Sequence, residues 1–132
     1  MISINTVTVI GVTGTMGANV AGIFASFGDA KVYCVGRNIE KVKKTIPRIV
    51  KSVRADAIKD NLIAADYSML NDCIVKSDLV FESVAEDIDI KKDIAIKVGK
   101  YTNLCKCFSL FIGGLLVNRI TNFRFGNLYI SI

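Results

Sequence analysis

Short apolar runs alternate along the chain with longer amphipathic stretches. Val7-Thr8-Val9-Ile10 is the first run and Lys31-Val32-Tyr33-Cys34-Val35 the second. Both are rich in β-branched residues, the pattern of strands buried in a sheet. Between them Met16, Val20, Ile23, Phe24 and Phe27 recur at helical spacing, and Gly28 supplies a stop. Two parallel strands need a crossover of this kind, so residues 6–38 read as one βαβ unit.

The alternation continues. Asn38 is placed to cap a helix running to about Ala57, with Val42, Ile46, Ile49, Val50 and Val53 on one face. Lys41, Lys43, Lys44, Arg48, Lys51 and Arg54 take the opposite face, and Pro47 within the helix predicts a kink or a split. Leu62 to Ala65 reads as a third strand, Ser68 to Val75 as a short helix, and Leu79 to Val84 as a central strand. Ile88 to Val98 reads as an amphipathic helix and Cys107 to Ile112 as a fifth strand. A short helix over Leu115 to Thr121 and a closing strand over Leu128 to Ile132 complete the pattern. The expected fold is one α/β domain over residues 1–132, with a doubly wound, mostly parallel sheet of about six strands and helices on both faces. Its ligand crevice lies at the carboxyl ends of the strands.

Composition narrows the function classes. The chain is 52% hydrophobic with one proline in 132 residues, which argues for an ordered domain with its own core. The longest apolar run, Cys107 to Val117, is eleven residues. A bilayer span needs about twenty, so no membrane segment is expected. No basic, apolar and cleavable leader opens the chain, which fits a cytoplasmic location. Four cysteines stand without C-x-x-C spacing and there is no histidine, so no metal site is expected and the thiols read as reduced core residues. The net charge is +5, but residues 31–60 hold nine Lys or Arg against three acids. Basicity is therefore local, and general attraction to nucleic acid does not follow. The charged face reads either as a solvated helix surface or as a patch for an acidic ligand, such as the phosphates of a coenzyme A tail.

The candidate chemistry sits in Gly11-Val12-Thr13-Gly14-Thr15-Met16-Gly17, between the first strand and the first helix. Glycine opens backbone angles closed to other residues and lets main chain approach a phosphate. The free amides and positive end of the following helix supply an anion site. Gly11, Gly14, Thr15, Met16 and Gly17 are thus candidate binders of a dinucleotide's pyrophosphate; a plain turn is the competing reading. A small-residue stripe, Ala18, Ala21, Gly22 and Ala25, would let the helix lie close to the strands. After the second strand, where an NAD-specific domain carries an acid for the ribose hydroxyls, this chain has Gly36-Arg37-Asn38. Loss of the carboxylate removes repulsion against a 2′-phosphate, and Arg37 could pair with that phosphate, lie over the adenine or point to solvent. The cofactor expected is NAD or NADP.

Three segments together resemble the NAD-binding domain of the 3-hydroxyacyl-coenzyme A dehydrogenases. They are Gly14-Thr15-Met16-Gly17, Ile23-Phe24-Ala25-Ser26-Phe27-Gly28, and Ser77-Asp78-Leu79-Val80-Phe81-Glu82-Ser83-Val84-Ala85-Glu86-Asp87 followed by Lys91-Lys92. The resemblance spans roughly residues 5–100. It implies a Rossmann-type fold, with Glu86 and Lys91 bordering the cofactor and Ser83 contacting it through its backbone. The competing reading makes Glu86 and Lys91 an exposed ion pair of little energetic weight. The family's activity would be hydride transfer between NAD(P) and the 3-hydroxy or 3-oxo group of an acyl-coenzyme A.

The departures from the pattern matter as much. The family's first glycine falls on Val12, with Gly11 one place early, and valine accepts positive φ poorly. The substrate-binding serine becomes Gly113, or Phe108 in a gapped register. The catalytic histidine has no counterpart, with Tyr129 at its place, so no catalytic residue is assigned. The family's helical domain is missing as well. What remains is the cofactor half of a dehydrogenase, weakly active or inactive by itself, expected to form a homodimer or to associate with a separate catalytic domain. Two other readings stay open: an NADP-binding reductase of the NmrA-like, atypical short-chain group, and a non-catalytic redox-sensing module.

Overall fold

The computed structural model describes residues 4–84, 87–101 and 107–110. The elements in order are β1 (Thr6–Ile10), α1 (Thr15–Ser26), β2 (Lys31–Gly36), α2 (Ile39–Val53), β3 (Leu62–Asp66), α3 (Leu70–Lys76), β4 (Leu79–Glu82), α4 (Ile88–Tyr101) and β5 (Cys107–Leu110). Single 3-10 segments at Asp56–Asn61 and Tyr67–Met69 flank β3. All described strand pairs are parallel, in the order β3-β2-β1-β4-β5. From β1 the chain winds outward to β3, then returns to the other side of β1 as β4. Ile10, the last residue of β1, is therefore in register with Val35 on one side and Glu82 on the other. Strand order reverses at that point, which is where an open parallel sheet leaves a crevice.

Alternate strand residues feed two cores. Val7, Val9, Val32 and Cys34 pack with Ala21 and Ala25 of α1 and Val42 and Ile49 of α2. Ile10, Val35 and Val80 pack with Leu70 and Ile74 of α3 and Ile94 and Val98 of α4. A two-residue side-chain period in the strands thus separates α1 and α2 from α3 and α4 across the sheet. Each fully buried Val or Ile contributes about 1.5–3 kcal/mol of hydrophobic transfer.

Several boundaries and faces differ from expectation. In α1 the small residues Gly17, Ala21, Gly22 and Ala25 are buried, whereas Met16, Ile23 and Phe27 are 45%, 52% and 88% exposed. The helix lies so near its neighbours that only small side chains fit beneath it: a Cβ on Gly22 would be 2.9 Å from Val53 Cγ1 and 3.2 Å from Ile49 Cγ2. Helix α2 runs through Pro47 as one helix, neither split nor ended. Pro47 is exposed, so the Lys43 carbonyl it leaves without a helical partner faces the hydrated side. α2 stops at Val53, not near Ala57, because Arg54 adopts the left-handed conformation at φ 52° and its N–H turns back to the carbonyls of Val50 and Lys51. β4 ends at Glu82, two residues early. Ile112 and the elements expected over 115–121 and 128–132 lie outside the described residues.

Candidate cofactor site

The turn after β1 is built from glycines with different jobs. Gly11 takes φ +87°, and a Cβ there would lie 2.2 Å from the Ser83 carbonyl oxygen. Gly11 and Val12 both donate their N–H to the Val35 carbonyl, at 2.9 and 3.2 Å, pinning the turn between the ends of β2 and β4. A Cβ on Gly17 would sit 2.3 Å from the Gly11 carbonyl oxygen, so Gly17 lets α1 start directly against the turn. Gly14 differs: its φ of −79° suits any residue, and a Cβ would meet only the Gly11 oxygen, at an ordinary 3.6 Å. Val12 is buried and is not among the residues of positive φ. The displaced first glycine therefore causes no strain, because Gly11 itself carries the turn's left-handed angle.

Gly14 is the N-cap of α1, without a side-chain cap and without an acid in the first turn. Its N–H bonds to the Gly11 carbonyl at 3.2 Å, and Ala18 N–H is the first to bond back to Gly14, at 3.0 Å. The intervening amides of Thr15, Met16 and Gly17 find no carbonyl partner outside the helix among the described residues. Three donors at the positive end of a helix, beside an exposed Gly14, are chemically matched to a diphosphate.

The end of β2 forms the second wall. Gly36 is buried, and a Cβ there would be 2.7 Å from Val42 Cγ2 and 3.5 Å from Thr13 Cγ2. Asn38 caps α2, its Oδ1 accepting from the N–H of Glu40 and Lys41 at 3.0 and 3.1 Å. Arg37 is exposed and lies near Tyr67, just past β3. Burial pushes the Tyr67 hydroxyl up, against the opposing pull of Arg37. Cys34, beneath this wall, is pushed up to about 12 by burial, which makes it an inert thiol.

The end of β4 forms the third wall. Ser83 donates its N–H to the Ile10 carbonyl at 2.8 Å and presses its own carbonyl toward Gly11. Lys91 does not stand at the surface: it is 3% exposed, and its Nζ lies 3.3 and 3.4 Å from the two carboxyl oxygens of fully buried Glu82. Glu82 also accepts the Val84 N–H at 2.5 Å. Burial pushes its carboxyl up, and the Val84 N–H and Lys91 pull it back. Lys91 therefore braces the loop after β4 from below, while Glu86 lies outside the described residues. The competing reading, an exposed pair of Glu86 with Lys91, took no account of Glu82, and Lys91 is buried. A central strand buried on both faces leaves a terminal carboxylate nowhere to go without a cation, and that signal was available.

The sequence match and the geometry coincide. The family model described as 3-hydroxyacyl-CoA dehydrogenase, NAD binding domain, matches residues 6–106. The chain belongs to this family. Among solved structures, a diketoreductase shares 28% identity and a TM-score of 0.67, over 88% of this chain and 44% of that one. The dehydrogenase part of multifunctional enzyme 1 from C. elegans shares 28% identity and a TM-score of 0.67, over 91% and 29%. An (S)-3-hydroxybutyryl-CoA dehydrogenase from Ralstonia eutropha has the same fold at 24% identity and a TM-score of 0.63, over 75% and 38%. No curated protein matches the sequence. The chain spans less than half the length of each of these structures.

Family membership decides against the atypical short-chain group, and the sequence around Tyr67 agrees: it has Asn71, not lysine, four residues on. Thr13 and Glu82 stand within the quoted motif segments without having been assigned a site role, and Tyr67 lies outside them; all three are at the strand ends that border the candidate site. No described helix is long and apolar enough to cross a membrane, and no group of metal-ligating side chains occurs among the described residues.

Proposed function

We propose that this chain is the dinucleotide-binding half of a 3-hydroxyacyl-coenzyme A dehydrogenase-like oxidoreductase, taking NAD(H) or NADP(H) across the crevice between β1 and β4. The observation that carries the reading is the trio of amides of Thr15, Met16 and Gly17 at the uncapped head of α1, which have no carbonyl partner among the described residues. They would hold the pyrophosphate, with Gly14 giving it close access. Gly36 and Asn38 would border the adenosine ribose, and Arg37 would lie over the adenine. Ser83 and the loop braced by Glu82 and Lys91 would border the other half of the cofactor, with Glu86 beside them. The nicotinamide, when bound, would exchange hydride with a 3-hydroxy or 3-oxo acyl-coenzyme A.

That step needs a general base near the 3-hydroxyl, which the family takes from histidine, and this chain has none. Acting alone it would bind cofactor and turn over slowly or not at all, and a separate catalytic chain, not a second copy of this one, would supply the missing base. The test is a fluorescence titration with NADH and NADPH, followed by turnover of acetoacetyl-coenzyme A. Saturable binding with little or no turnover is expected. Absence of binding contradicts the reading, and turnover at a rate typical of complete enzymes contradicts its catalytic half.

A further inference from the structure

An open pocket of about 270 Å³ lies beside the glycine turn, lined by Thr13, Lys41, Lys44, Thr45 and Arg48. We propose that this pocket is a subsite for the 2′-phosphate of NADP(H), so that the chain selects NADP(H) over NAD(H). The inference rests on the cofactor reading above and adds the selectivity. Thr13 belongs to the turn, and its Cγ2 is 3.5 Å from where a Gly36 Cβ would be. The pocket therefore begins at the end of β2, where an NAD-selective domain places its ribose-binding acid.

Lys41, Lys44, Thr45 and Arg48 follow one another at intervals of three, one and three residues, so they share one face of α2. The lining brings three cations and two threonines and no carboxylate. Ion pairs among the described residues are Lys43 with Glu40 and Lys91 with Glu82, so none of the three cations is neutralised by one. Thr45 is buried and gives its hydroxyl to the Lys41 carbonyl at 2.9 Å, which fixes the backbone under Lys41. Arg37 is not among the lining residues. The phosphate-binding charge thus comes from α2, not from the arginine that follows β2.

A phosphomonoester on an adenosine ribose also occurs in coenzyme A, as the 3′-phosphate. The continuity of the pocket with the pyrophosphate turn favours the dinucleotide. The deciding experiment titrates wild type and Lys41→Gln/Lys44→Gln with NADPH, NADH and coenzyme A at low and high salt, alongside thermal melting. Wild type is expected to bind NADPH about tenfold or more tighter than NADH, with the preference shrinking at high salt. The variant is expected to lose most of that preference, with NADH affinity and melting temperature unchanged. If the double variant melts early, Arg48→Gln, exposed at the same pocket, gives the same comparison. NADH binding with no NADPH preference, or a preference the variants leave intact, overturns the inference alone. So does a loss confined to coenzyme A. Binding of neither dinucleotide overturns the cofactor reading beneath it.

Discussion

Gly11 and Gly14 stand three residues apart in one turn, and only one of them is required by the fold. Gly11 combines φ +87° with a neighbouring carbonyl oxygen 2.2 Å from any added Cβ. Gly11→Ala is expected to destabilise the protein by about 2–4 kcal/mol in urea unfolding, since backbone cannot yield as a side-chain tip does. Glu82 and Lys91 are the other residue-scale commitment. Lys91→Met, which removes the cation from a fully buried carboxylate, should cost about 3 kcal/mol. Adding Glu82→Gln should recover more than half of that, because the amide keeps an acceptor for Val84 N–H. The pH sign follows from the raised Glu82 carboxyl. Stability tied to it is present below its ordinary value of 4.5 and is lost as pH rises through the raised value. Lys91→Met should accordingly be less destabilised relative to wild type below that value than at neutral pH. An equal deficit at both would argue against the pairing. The glycines were legible from sequence because strand, turn and helix fall in order around them. The Lys91 partner was legible only from burial, which points to Glu82 at the end of a buried strand, and not from motif spacing, which points to Glu86.

The helices show which sequence signal governs packing. Large apolar residues at helical spacing identified α1 correctly, yet the buried stripe is the small one, and Phe27 is 88% exposed. The helix sits close to its neighbours, with Gly22 against Ile49 and Val53 of α2, and a bulky residue beneath it would have to displace them. Helix α2 follows the ordinary rule, burying Val42, Ile49 and Val50 beneath a charged outer face. Its continuity through Pro47 was not legible, because proline removes one hydrogen bond without deciding whether the lost partner faces water or core. Pro47→Ala restores that bond in a helix that already accepts the conformation. A gain of about 1–2 kcal/mol is expected by thermal or urea unfolding, the helical benefit outweighing the looser unfolded chain. Destabilisation would show that Pro47 shapes α2 in a way the other helices need.

At the scale of the whole molecule, function follows from where the winding reverses. β1 lies at the centre, β2 and β3 to one side and β4 and β5 to the other. The two nearest strand ends and the glycine turn therefore meet over one crevice. The doubly wound sheet was readable from alternating strands and helices, since each buried parallel strand needs a covering crossover. The cationic pocket was visible in sequence only as a charged helix face; the fold joined it to Thr13. The central claim is that the head of α1 holds a diphosphate, and Gly14 separates that claim from folding. Gly14→Ala adds a methyl where the fold leaves ordinary space, at a cost of about 1 kcal/mol or less at the helix cap. The direct measurement is titration of reduced dinucleotide into wild type and Gly14→Ala, with melting curves of both. Saturable binding by wild type that falls at least about tenfold in the variant, with near-equal melting, is the predicted result. A wild type that binds no dinucleotide, or a variant that binds as tightly as wild type, would contradict it.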